Sequence, residues 1–171
     1  MIEEDKISKL EKIGAKDSKL LTHKKRLELA KKIKRMAKEY LIIEATPSEL
    51  DDAVDGNNTL NLNWLEAHKI AEIANKLKPD KMIIDCPSPN KEKFSGFLKK
   101  LLKNKNMELI VEHKADVKFF PVSAASILAK VAREDQVEKI EKKVGESIGS
   151  GYPSNPVCKE FLKKNFEKYP E

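Results

Sequence analysis

Two short apolar runs confine the folds open to this chain. Lys81-Met82-Ile83-Ile84-Asp85 and Glu108-Leu109-Ile110-Val111-Glu112 each hold three consecutive apolar residues between charged ends. Each is too short for a helix, and Pro79 and Pro87 bracket the first, so both are expected as buried strands. Between them, from Lys91 to Lys103, Phe94, Phe97, Leu98, Leu101 and Leu102 recur on one side of a lysine-rich helix. A strand, a helix and a second strand over this length form a crossover unit, which joins parallel strands. The expected class is therefore α/β.

The remaining periodicity is mostly helical. Ile2 to Ile13 fits a short helix with Ile7 and Leu10 inward, broken by Gly14 before a polar loop over Ala15 to Lys19. Thr22 is placed to cap a basic helix carrying Leu29, Ile33, Met36 and Tyr40. Tyr40 to Ala45 has strand character, with Pro47 and Ser48 ending it before a short acidic segment that reaches Gly56. Thr59 precedes a helix with Ala67, Ile70, Ala74 and Leu77 on one face, stopped by Pro79. Ser123 or Ser126 is placed to cap a long helix that Gly145 ends. After the loop Gly149 to Pro153, a last basic helix over about Pro156 to Lys168 is expected to bury Phe161, Leu162 and Phe166.

Composition narrows the setting more than the chemistry. A chain of 171 residues suits one domain, 1–171, and 36% charged residues with only 6% aromatics still leave regular apolar faces, which argues against disorder. A net charge of +6 and a pI near 9.1 favour polyanionic partners, although lysine-rich helix faces are commonly just solvated surface. Cys86 and Cys158 show neither zinc-site nor disulfide spacing. A reducing cytoplasm is the simplest setting. No membrane span and no signal peptide are expected.

Asp85 ends the first strand and Asp116 follows the second. If the strands are adjacent and parallel, their carboxyl ends lie about 5 Å apart at the backbone, close enough for two carboxylates to share a hard divalent cation. Ligands of open α/β sheets gather at that edge. The same two residues also fit a turn cap before Pro87 and an ordinary loop aspartate, so the pair by itself leaves both readings open. No P-loop or dinucleotide glycine motif supports a generic phosphate-binding enzyme.

The flanking residues weigh on this choice. His113-Lys114-Ala115-Asp116 is followed by Val122-Ser123-Ala124-Ala125-Ser126-Ile127-Leu128-Ala129-Lys130-Val131-Ala132-Arg133. Ile84-Asp85-Cys86-Pro87 precedes them, Lys16-Asp17-Ser18-Lys19 stands before Leu21-Thr22, and Gly149-Ser150-Gly151-Tyr152-Pro153-Ser154 comes near the end. In this order the segments resemble the type 2 ribonuclease H family over residues 14–161.

The resemblance implies a ribonuclease H-like mixed sheet flanked by helices. It implies an endonuclease that cuts RNA in RNA/DNA hybrids, or DNA with embedded ribonucleotides, using magnesium or manganese and leaving 5′ phosphates. Asp85 and Asp116 match two of the family's four metal-binding carboxylates. Tyr152 matches a tyrosine that packs on a sugar at the RNA-to-DNA junction, though a residue fixing a glycine-rich turn looks the same in sequence. Lys16, Asp17, Ser18 and Lys19 match a loop near the substrate, with Asp17 and Ser18 equally suited to a local turn. Ser123 and Ser126 are expected as caps or close-packing residues, and His113 receives no catalytic role. A monomer is expected.

One departure bears on activity. The family's Asp-Glu-Ala-Gly-Arg-Gly strand, which supplies the other two carboxylates, has no counterpart in residues 1–15. The expectation is an incomplete fold lacking its first central strand and its C-terminal tail, and a chain inactive alone. The alternative from another class is a non-catalytic nucleic-acid-binding remnant.

Overall fold

β1 (Lys81–Asp85) and β2 (Glu108–Glu112) form a parallel pair in which Lys81 faces Glu108, Ile83 faces Ile110 and Asp85 faces Glu112. The backbone bonds Glu108 N–H to Asp80 O and Cys86 N–H to Glu112 O, both 2.9 Å, extend the ladder past each end. The computed structural model describes residues 1–15, 21–56, 61–152 and 154–169. Their contacts fall into two compact units, Met1–Leu128 and Ala129–Glu171.

In the first unit a 3-10 turn, Glu4–Lys6, leads into α1 (Ile7–Lys12), with Leu10 buried. α2 (His23–Met36) starts at Thr22, whose hydroxyl accepts the Lys25 N–H at 3.3 Å. It stops at Met36, so Tyr40 lies beyond the helix that its spacing suggested. The expected strand over Tyr40 to Ala45 is absent: these residues join no ladder, and β1 and β2 pair only with each other among the described residues. Apolar content makes a segment eligible for a sheet, but a strand also needs a neighbour to take its N–H and C=O groups.

Residues 47–54, expected as a stop and an acidic segment, instead form α3 (Pro47–Val54). Pro47 occupies the first helical position, where a missing N–H costs nothing. Thr46 and Glu49 complete a reciprocal capping box, with Thr46 N–H donating to Glu49 Oε2 at 2.9 Å and Glu49 N–H to Thr46 Oγ1 at 3.3 Å. α4 (Leu62–Leu77) is capped by Asn61, while Thr59 lies outside the described residues.

α4 and α5 (Lys91–Leu101) build the core over the strands. Ala67, Ala71 and Ala74 of α4 recur at helical spacing and are small enough to let that helix approach closely. They pack with Ile84, Val111, Phe94, Leu98 and Leu102 in one buried cluster. Burying each large side chain here stabilises by about 1.5–3 kcal/mol. Trp64 lies 4.4 Å from Phe97 between ring centroids. Asn75 joins the helices at their far ends, donating to Leu101 O at 3.1 Å and accepting from Lys103 N–H at 2.8 Å.

After α6 (Ala115–Lys118) the chain enters α7 (Phe120–Val144). Neither serine caps it as expected: the helix begins at Phe120, with Pro121 tolerated in the first turn, and Ser123 is a buried residue of that turn. Gly145 ends α7 at φ +80°, as its position suggested. In the second unit Asn155 caps α8 (Pro156–Asn165), accepting the Cys158 N–H at 3.2 Å. The expected burial along α8 fails, with Leu162 53% and Phe166 63% exposed and Phe161 only half-buried against Tyr169. Apolar periodicity marks a face able to be covered, and no described element covers this one. Among the described residues no helix is long and apolar enough to cross a membrane.

Candidate active site

One backbone turn brings the residue before Asp116 to the side chain of Asp85. β2 ends at Glu112, and Lys114 takes the left-handed conformation at φ 56° and ψ 39°, which reverses the chain into α6. A non-glycine residue seldom adopts this geometry. The turn aims the Ala115 N–H at Asp85, whose Oδ1 accepts it at 3.1 Å. Asp116, next along α6, is 7% exposed, whereas Asp85 is exposed to solvent. The carboxyl ends of β1 and β2 thus hold one solvent-facing aspartate, with a buried one just beyond on α6.

Two further carboxylates surround this edge. Glu112 faces Asp85 across the ladder and accepts from Lys91 Nζ at 2.9 Å and Lys118 Nζ at 3.0 Å. Those two ammonium groups hold its carboxyl down at about 2, well below the usual carboxylate range. The same bonds tie the start of α5, the end of β2 and α6 together. Glu66 on α4 responds in the opposite direction. Protein packed around its carboxyl, and then the charge of Asp85, push its pKa up, although the side chain keeps contact with solvent. Nothing in the sequence put Glu66 beside β1. Only the packing of α4 does that.

Oxygen donors of this kind suit a hard divalent cation in type. They fall short in number, because no three His, Cys, Asp or Glu side chains among the described residues are arranged to hold a metal. Glu112 is engaged by its two lysines, and Asp85 already spends one oxygen on Ala115. No hydrolytic step follows from these residues alone.

Tyr152 belongs to the second unit and is 43% exposed, with the Arg133 guanidinium carbon 3.7 Å from its ring centroid. Arg133 ends the motif that begins at Val122, and nothing in its sequence position marks it for this contact. Lys16, Asp17, Ser18 and Lys19 lie outside the described residues. Cys86 and Cys158 are free thiols.

The family model for ribonuclease HII matches residues 1–171. The chain belongs to the ribonuclease HII family. The ribonuclease HII of Thermococcus sibiricus is 40% identical over 171 residues, covering 99% of this chain and 73% of that protein. The ribonuclease HII of Thermococcus onnurineus is 42% identical, covering 100% of this chain and 73% of that protein. The crystal structure of the ribonuclease H2 from Pyrococcus horikoshii superposes with a TM-score of 0.85 at 39% identity, over 99% of this chain and 78% of that one. The fold is thus α/β of the ribonuclease H kind, with a two-stranded parallel sheet among the described residues where a larger mixed sheet was expected. A ribonuclease H-type function goes with membership of the ribonuclease HII family.

Proposed function

We propose that this chain acts as an endonuclease on the RNA strand of RNA/DNA hybrids, or on ribonucleotides embedded in DNA, with Asp85 and Asp116 as catalytic, metal-binding carboxylates. The observation that carries the assignment is the Ala115 N–H donating to Asp85 Oδ1 at 3.1 Å, which couples the end of β1 to the turn presenting Asp116. Magnesium or manganese is the matching cofactor. Such ions would supply an activated water and would offset charge on the phosphate, with a 5′ phosphate as the expected product. Asp85 and Asp116 supply two of the oxygen donors, and the rest come from outside this pair. Tyr152 is assigned to the sugar at the junction, and Lys16, Asp17, Ser18 and Lys19 to contacts with the nucleic-acid backbone.

Two measurements test the assignment. Manganese binding, followed by electron paramagnetic resonance, should weaken at least tenfold in Asp85→Asn and in Asp116→Asn. Cleavage of an end-labelled RNA/DNA hybrid in manganese should disappear in both. Cleavage that survives both substitutions would remove these aspartates from the reaction. Salt-sensitive hybrid binding without any cleavage by the unsubstituted chain would favour a nucleic-acid-binding remnant instead.

A further inference from the structure

The loop carrying Tyr152 is fastened at both ends by contacts that leave little room for alternatives. Gly149 and Gly151 both have positive φ, +71° and +69°. A Cβ on Gly149 would stand 2.5 Å from Asn155 Oδ1, the atom that caps α8. A Cβ on Gly151 would stand 2.7 Å from Val137 Cγ2 and 3.2 Å from Arg133 Nη1. Glycine at these positions lets the backbone lie directly on α8 on one side and on α7 on the other. Asn155 N–H donates to Tyr152 O at 2.9 Å, which closes the turn.

Arg133 sits behind this loop, one helical turn from Val137 on the same face of α7. Its Nη1 donates to the Ser150 carbonyl at 2.9 Å, and its guanidinium carbon lies 3.7 Å from the Tyr152 ring centroid, at van der Waals contact. Arg133 Nε is buried and has no hydrogen-bond partner among the described residues. A buried donor left unmatched is unfavourable, and the contacts of the guanidinium among the described residues include the Tyr152 ring face and the Ser150 carbonyl. Arginine suits this task because its planar cation stacks on an aromatic face while its edge still donates. One face of Tyr152 is therefore backed by a cation, and much of the residue remains exposed.

We infer that Arg133 is a positioning residue for nucleic-acid recognition: it holds the Tyr152 ring edge-fixed and face-out, so that the open face receives a sugar or base without first losing rotamer freedom. The inference rests on the assignment of Tyr152 to the nucleic acid. Arg133 acts through Tyr152 and does not itself neutralise a phosphate. Fixing the ring before binding lowers the ordering cost of the contact.

The test is a double-mutant cycle on the 171-residue chain, read as anisotropy of a labelled RNA/DNA hybrid in EDTA over a range of salt. Tyr152→Ala should weaken binding about tenfold, within the range for stacking on one aromatic residue. Arg133→Ala should weaken it about fivefold, and the double variant should be no weaker than Tyr152→Ala alone. The slope of log affinity against log salt should stay unchanged in Arg133→Ala. A slope reduced by about one would mean that Arg133 meets a phosphate directly, and would overturn the inference. Arg133→Lys keeps the charge but not the planar face, and should bind like Arg133→Ala; full recovery by lysine would also overturn it. Arg133→Gln, able to donate to Ser150 O, guards against loss of fold and should reproduce the alanine defect with an unchanged melting temperature. Fully additive losses in the cycle would sink the role of Arg133 alone. An unaltered affinity in Tyr152→Ala would sink the assignment of Tyr152 as well.

Discussion

Replacing Lys114 by glycine should stabilise this protein, although the same replacement at an exposed lysine within a helix should destabilise it. Lys114 holds φ 56° at the junction of β2 and α6, and its side chain is exposed. A left-handed backbone costs an L-residue about 1–2 kcal/mol, which glycine does not incur. Glycine brings back about 0.5–1 kcal/mol of extra unfolded-state entropy. The difference, roughly 0–1.5 kcal/mol, centres on a net gain of about 0.75 kcal/mol. For a chain of this size, that raises the melting temperature by about 1–4 °C. Lys32, exposed in the middle of α2, is the control: Lys32→Gly should cost about 1 kcal/mol and lower the melting temperature by about 2–4 °C. The assay is thermal unfolding followed by far-ultraviolet circular dichroism at pH 7 for the three proteins side by side. A Lys114→Gly protein that melts lower by as much as Lys32→Gly would refute the claim that the turn presenting Asp116 is conformationally strained.

Other outcomes rest on the same structure. The Glu112 carboxyl titrates at about 2 when folded, below its ordinary 4.5, so its contribution is present above pH 4.5 and lost as pH falls toward 2. Glu112→Gln should therefore be less stable than the parent at pH 7 and equal to it near pH 2; a gap that persists in acid would contradict the lysine clamp. Leu98→Ala, at a fully buried site, should cost about 2–5 kcal/mol in urea unfolding, and Leu162→Ala, exposed on α8, under about 0.5 kcal/mol. Equal losses would mean that α8 is covered after all. Thr46→Ala should cost about 1 kcal/mol by removing the capping box of α3, measured in the same way; no loss would discount the cap.

Much of the helical framework and both strands were legible because their signals are local. The charged ends around Met82 to Ile84 and around Leu109 to Val111 bound both strands to the residue, and Thr22 and Gly145 marked helix ends through their own side-chain and backbone chemistry. Two readings failed where the deciding partner lay elsewhere. Tyr40 to Ala45 had the composition of a strand but no neighbour to pair with, and Leu162 and Phe166 had helical spacing but no surface to meet. Pro47 read as a stop, although together with Thr46 and Glu49 it begins α3. Proline bars a helix only from continuing through it out of the N-terminal side, and residues on its C-terminal side decide whether a new helix starts there.

The candidate site divides along the same line. Asp85 and Asp116 were reachable from strand order and flanking motifs, because parallel strands joined by a crossover helix place their carboxyl ends at one edge whatever the rest of the chain does. The sequence by itself determined that edge, the crossover and the membership of the family that its motifs spell. Only the tertiary structure decided that Lys114 turns left-handed to aim Ala115 at Asp85, that Lys91 and Lys118 occupy Glu112, that Glu66 feels the charge of Asp85, and that Arg133 backs Tyr152. Most of these depend on groups distant along the chain brought near one another. Such proximity is set by how helices pack and loops close, and no local spacing encodes it.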